Sequence, residues 1–126
     1  MTVSGRMGVE EHRNWNEVDY SKLMNGRAFP PNFMWGVATA SHQIEGGNTN
    51  NWTRFEPRSK SGQESGDACD HWNRKEQDLE LIKDLNVTHY RFSLEWSRIE
   101  PEMGTWNHDA IDWYSDLVDQ LLYNGI

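Results

Sequence analysis

The stretch FMWGVATASHQIEGG, residues 33–47, is the most informative part of this 126-residue chain. Its first half, residues 34–40, is apolar and rich in small residues, which is typical of a buried parallel strand. Polar side chains follow at once, at Ser41, His42, Gln43 and Glu45. Functional side chains of parallel α/β folds gather at the carboxyl ends of the strands, so we expect a site here.

The segments after this strand alternate between loop, helix and strand patterns. Turn signals predict a loop over 41–50, followed by a short helical turn over 51–56 that Pro57 ends. Periodicity then predicts a helix capped by Asp67, with a buried stripe of Trp72, Leu79, Ile82 and Leu85. A strand over 87–94 and a second helix follow, the helix capped by Asn107 with Gly125 just past its end. The apolar stripe of the last helix is Ile111, Tyr114, Leu117, Val118, Leu121 and Leu122.

The strand over 87–94 has two different faces. One face carries Thr88, Tyr90, Phe92 and Leu94, and the other carries Val87, His89, Arg91 and Ser93. The first set is apolar and should meet helices. The second contains a charge at Arg91, as expected where a barrel strand turns polar residues toward a site.

The order strand, helix, strand, helix predicts an α/β fold with a parallel sheet and right-handed crossovers. A complete (β/α)₈ TIM barrel typically needs about 250 residues. We therefore expect the first two β/α units of such a barrel, left incomplete, over residues 29–126. Residues 1–28 are polar, lack a sustained period and are predicted to form an N-terminal arm.

Composition and charge narrow the classes of function. The net charge is −8, which disfavours binding to nucleic acid or to an anionic membrane surface. With Cys69 alone, no intrachain disulfide can form, and the five histidines show no metal-ligand spacing, so we predict neither a metal nor a cofactor. No signal peptide and no apolar run of 18 residues is visible, so we expect a cytoplasmic protein.

Three ordered motifs resemble family 1 glycoside hydrolases. The first is the opening stretch, which resembles the family's N-terminal signature position by position. The second is GDACDHW at 66–72, similar to the family's Gly-Asp-x-Ala-x-Asp-His segment, and the third is YRFSLEWSRI at 90–99, similar to its Arg-x-Ser-x-x-Trp-x-Arg-Ile strand. Asn124-Gly125-Ile126 also matches the end of the family's second barrel helix.

The resemblance implies a β-glucosidase-like barrel that hydrolyses β-linked glycosides with retention. It implies that Gln43 binds hydroxyls of the non-reducing sugar and that Arg91 reaches the nucleophilic carboxylate. A polar loop residue and an inward salt bridge are the respective structural alternatives. Trp52 lies in a loop where family members often carry tryptophan, and is either a pocket residue or a loop anchor. His42 and Glu45 occupy signature positions, as binding residues or as local supports.

The catalytic carboxylates are a separate question, because retention requires two of them about 5–5.5 Å apart. From position alone, Glu45 and Glu95 are one candidate pair, since each follows a strand. The resemblance instead implies an Asn-Glu-Pro acid/base and a Glu-Asn-Gly nucleophile, and neither tripeptide occurs here. Glu95 is then expected to pair with Arg98 or to line the site rim.

We expect no hydrolysis by this chain alone, and a missing C-terminal part of the barrel as its partner. The alternative is a non-catalytic remnant that binds a sugar or a partner.

Overall fold

The computed structural model describes residues 29–126, so the predicted arm over 1–28 lies outside the described part of the chain. A boundary between two compact units falls after Phe33. In the described end of the first unit, the Phe33 N–H donates to the Pro30 carbonyl at 2.9 Å, which closes a turn.

The second unit alternates strands and helices. Its elements are β1 (Gly36–Ala38), α1 (Ser41–Ile44), α2 (Asn51–Phe55) with a 3₁₀ turn (Glu56–Arg58), α3 (His71–Asp84), β2 (His89–Arg91), α4 (Trp96–Ile99) and α5 (His108–Tyr123). Pro57 therefore does not end helical structure as predicted, because proline is accepted in the first turn of the 3₁₀ segment. The loop predicted over 41–50 contains the short helix α1, and a second short helix, α4, follows β2.

The two strands form a parallel pair with Gly36 opposite His89 and Ala38 opposite Arg91. A Cβ atom at Gly36 would lie 2.7 Å from the His89 carbonyl oxygen, so a larger residue would push the strands apart. Both strands are shorter than predicted. A strand extends only as far as its neighbour pairs with it, and among residues 29–126 each strand has one neighbour.

The core lies between this sheet and helices α3 and α5. Tyr90 and Phe92, two members of the predicted apolar face, pack against it, whereas the other two, Thr88 and Leu94, are exposed. Val87 packs there too, so its assignment to the opposite face was wrong. The buried apolar residues are Leu79, Ile82, Ile99, Ala110, Tyr114, Leu117 and Leu121.

The predicted N-cap of α3 at Asp67 is wrong. The helix begins at His71 after Asp70, whose φ is 57° and whose side chain makes no capping bond. Residues 67–70 are folded into a turn instead, with the Asp70 N–H donating to the Asp67 carbonyl at 2.8 Å. That carbonyl lies 2.2 Å from where a Cβ of Gly46 would be, so Gly46 and this turn fit only because Gly46 has no side chain.

The long C-terminal helix matches its predicted ends. Asn107 accepts from the Ala110 N–H, and Gly125 adopts φ 77°. The Gly125 N–H donates to Leu122 and the Ile126 N–H to Leu121, which is the Schellman pattern expected where glycine follows a helix. The predicted apolar stripes are too wide, because three of their members are exposed: Leu85, Val118 and Leu122.

Candidate active site

Hydrogen bonds draw together the segments that follow the two strands. The Ser41 N–H, at the start of α1, donates to Ser93 Oγ at 2.8 Å, just beyond β2. The Ser41 hydroxyl itself lies 3.4 Å from Glu95 Oε2. The polar residues of the first and third motifs therefore share one end of the parallel pair.

Gln43 and Arg91 remain exposed at this end. Gln43 lies in α1, and Arg91 is the last residue of β2. Within residues 29–126 neither side chain has a hydrogen-bond or ion-pair partner. Their polar groups are available for contacts to a ligand or to another part of a barrel.

Glu45 is instead buried, with 2% of its surface exposed. Its carboxylate accepts from the Tyr114 hydroxyl at 2.7 Å and from Arg98 Nε at 3.1 Å. Burial raises the pKa of Glu45, while these two donors act in the opposite direction. Burial and the bond to Glu45 also raise the pKa of Tyr114, which keeps its hydroxyl a donor.

Arg98 holds the loop after α1. Its Nε lies 3.1 Å from Asn48 Oδ1 as well as from Glu45, and its Nη2 donates to the Gly46 carbonyl. The guanidinium also lies over the Trp72 ring, 4.1 Å from the ring centre. The predicted pairing of Arg98 with Glu95 is therefore wrong.

Glu95 is buried as well, with 5% exposed, and its bonds are internal. Its oxygens accept from Asn50 Nδ2 at 2.7 Å and from the Ser97 hydroxyl at 2.7 Å. Its backbone N–H donates to the Tyr114 hydroxyl at 2.9 Å. Glu45 and Glu95 are thus both covered and hydrogen-bonded, an arrangement suited to support and poorly suited to attack on a sugar.

His42 and Trp52 lie beside this network. His42 Nε2 lies 2.8 Å from Glu56 Oε1, and Nδ1 lies 3.3 Å from Asn50 Nδ2. Hydrogen bonds from Ser65 are the main cause that lowers the pKa of Glu56. Trp52 is 56% exposed and packs against Phe55 in a T-shaped pair, with ring centres 6.1 Å apart.

Sequence reasoning missed Asn50 and the polar role of Tyr114. The loop predicted over 41–50 includes Asn50, although an asparagine three residues before Thr53 can cap a helix that begins between them. The sequence predicts Tyr114 only as part of an apolar stripe, and nothing in that stripe indicates that its hydroxyl bridges two segments. Among residues 29–126 no three His, Cys, Asp or Glu side chains are grouped to hold a metal, and no helix is long and apolar enough to cross a membrane.

The sequence profile of Glycosyl hydrolase family 1 matches residues 25–126. This chain belongs to that family. Beta-glucosidase A from Thermotoga maritima is 44% identical over 113 residues, covering 82% of this chain and 25% of the relative. The cytosolic beta-glucosidase of Homo sapiens is 40% identical over 111 residues, covering 79% of this chain and 24% of the relative.

Solved structures agree with the sequence match. The family 1 β-glucosidase from Thermotoga maritima superimposes with a TM-score of 0.71 at 44% identity, covering 78% of this chain and 25% of that structure. The β-glycosidase from Pyrococcus horikoshii gives 0.70 at 45% identity, covering 78% and 23%. These likenesses imply the TIM-barrel fold for the family member. The chain spans about a quarter of the length of the relatives that it matches.

Proposed function

We propose that this chain contributes part of the sugar site of a retaining β-glycosidase, most similar to β-glucosidases. The observation that supports it is the contrast at the strand ends. Gln43 and Arg91, the residues that the family motif assigns to sugar and nucleophile, are exposed, whereas the nearby carboxylates Glu45 and Glu95 are buried in internal bonds.

Each exposed side chain has a chemistry that suits its proposed role. The amide of Gln43 offers a donor and an acceptor, which is what two neighbouring sugar hydroxyls require. The guanidinium of Arg91 would favour the ionised form of a nucleophilic carboxylate. The nucleophile and the acid/base belong, in this proposal, to segments outside these 126 residues. Glu45 and His42 then act as supports, and Trp52 contributes an exposed ring at the rim.

We also propose that residues 29–126 are the first two β/α units of an incomplete barrel, with residues 1–28 as a polar arm. The remaining barrel strands are the proposed partner. Exposed leucines on the two long helices support this, since Leu81 and Leu122 are 62% and 66% exposed. A cytoplasmic location is proposed with the relative named cytosolic beta-glucosidase in its support.

The test compares the chain alone with a complete barrel. A barrel chimera is made by placing residues 25–126 in the matching segment of Thermotoga maritima beta-glucosidase A. We expect the chimera to hydrolyse a chromogenic aryl β-glucoside, with the first-formed sugar in the β configuration by proton NMR, and the chain alone to be inactive. A folded but inactive chimera would contradict the proposal and favour a non-catalytic binding module. Hydrolysis by the chain alone that is lost in Glu45→Gln or Glu95→Gln would instead restore those residues as catalysts.

A further inference from the structure

The side-chain amide of Asn50 uses all four of its hydrogen-bonding positions. Its Oδ1 accepts from the backbone N–H of Trp52 at 2.9 Å and of Thr53 at 3.1 Å. Its Nδ2 donates to Glu95 Oε2 at 2.7 Å and lies 3.3 Å from His42 Nδ1. An amide has two donor hydrogens and an oxygen with two lone pairs, so only one orientation of Asn50 satisfies these four neighbours.

These bonds reach three separate segments. The oxygen caps α2, which carries Trp52. One amide hydrogen holds Glu95, which itself caps α4 after β2. The other meets His42, which directly precedes Gln43 in α1. Asn50 is therefore the point at which the two segments with proposed sugar contacts are tied to each other and to the end of β2.

The orientation of Asn50 also determines the tautomer of His42. Because Asn50 Nδ2 donates, His42 Nδ1 accepts, and the ring hydrogen lies on Nε2, where Glu56 accepts it at 2.8 Å. The Ser65 N–H holds the same Glu56 oxygen at 3.1 Å. Every donor in this chain of bonds has an acceptor, and the direction of each bond follows from the orientation of one amide.

We propose that Asn50 is a positioning residue of the sugar site, which fixes Gln43 and Trp52 relative to the end of β2 without touching the sugar. This inference rests on the proposed function, since it concerns the placement of Gln43. Glycone hydrogen bonds strengthen in the transition state of glycoside hydrolysis. A displaced Gln43 therefore lowers kcat more than it changes KM.

Asn50→Asp in the barrel chimera separates positioning from helix capping. Aspartate caps a helix as well as asparagine does, so α2 keeps its two acceptor bonds. Both donor bonds are lost, and the introduced carboxylate faces Glu95. We expect kcat/KM to fall roughly tenfold to a hundredfold, mostly in kcat, because small misplacements are costly in catalysis. Acidification protonates the introduced group and returns one donor, so activity relative to the unmodified chimera should rise as the pH falls.

Asn50→Ser is the second variant, and it tests the positioning role of Asn50 if the aspartate variant does not fold. Serine caps a helix without adding charge, but its side chain is too short to reach Glu95 and His42. It should lose activity similarly and show no pH signature. Asn107→Asp is the matched control, because Asn107 caps α5 and its amide nitrogen has no partner within the described residues. It should leave kcat and KM unchanged.

Wild-type kcat/KM in a folded Asn50→Ser or Asn50→Asp chimera would overturn the proposal. Gln43→Ala, measured in the same chimera, separates the two levels of inference. If Gln43→Ala lowers kcat/KM and the Asn50 variants do not, the positioning role fails and the sugar site stands. If Gln43→Ala has no effect either, the proposed sugar site fails with it.

Discussion

Two sets of polar side chains follow the strands of this molecule, and they differ in burial as well as in charge. Glu45 and Glu95 are covered and saturated with internal hydrogen bonds, whereas Gln43 and Arg91 are exposed. All four lie within motif segments and within a few residues of a strand end. A carboxylate near a strand end, such as Glu45, can therefore be a structural support, while the amide of the nearby Gln43 stays available to bind a sugar. Variants of the two sets should therefore affect different measurements.

The largest expected effect is that of Arg91→Met on catalysis in the barrel chimera. Methionine retains most of the side-chain length but removes the charge that would stabilise an ionised nucleophile. We expect kcat to fall about a thousandfold, the upper range for loss of one preorganised electrostatic group. The unfolding temperature should change little, because Arg91 has no hydrogen-bond or ion-pair partner within residues 29–126. A loss of stability with a nearly normal rate would show that Arg91 is a structural support, like Glu45 and Glu95.

Gln43→Ala should have the next largest effect. Loss of hydrogen bonds that strengthen in the transition state is expected to cost about 3 kcal/mol, which is roughly 150-fold in kcat/KM. Gln63→Ala is the matched control, since Gln63 is exposed in the loop after the 3₁₀ turn. It should leave steady-state kinetics on the aryl β-glucoside unchanged. Equal kinetics for the two variants would remove Gln43 from the proposed site.

Glu45→Ala should act on stability instead of rate. It leaves the Tyr114 hydroxyl without its acceptor and Arg98 without its carboxylate, which should lower the free energy of unfolding by about 2 kcal/mol. Glu80→Ala is the control, because Glu80 pairs with Lys83 on the surface of α3, where such pairs contribute about 0.5 kcal/mol. Denaturant unfolding of the two chimera variants measures the free energy of unfolding that each one loses. Equal losses would show that burial does not distinguish Glu45 from a surface carboxylate.

Sequence patterns predicted the alternation of strands and helices because it depends on local periodicity and caps. The Asn107 cap and the Gly125 end of α5 are residue-level examples. The patterns could not predict which polar residues are buried and which are exposed, because burial depends on contacts between segments far apart in sequence. Arg98 reaches Glu45 and not its close neighbour Glu95, since the loop after α1 folds back over it. The cap at Asp67 failed similarly, through the close approach of that turn to Gly46.

The smallest expected effect concerns the pH dependence of stability. Burial raises the pKa of Glu45 above its ordinary value of 4.5, so just above pH 4.5 the folded state binds more protons than the unfolded chain. The contribution of Glu45 to the free energy of unfolding therefore falls as the pH rises from 4.5 and levels off once the folded carboxyl is ionised. Glu45→Gln removes this titration and keeps an acceptor for Tyr114. Denaturant unfolding between pH 4.5 and 7 should give a flatter profile for Glu45→Gln than for the parent chimera, with Glu80→Gln matching the parent. A profile for Glu45→Gln as steep as the parent's would mean that the donors around Glu45 compensate completely for its burial. Burying this carboxylate would then cost no electrostatic free energy.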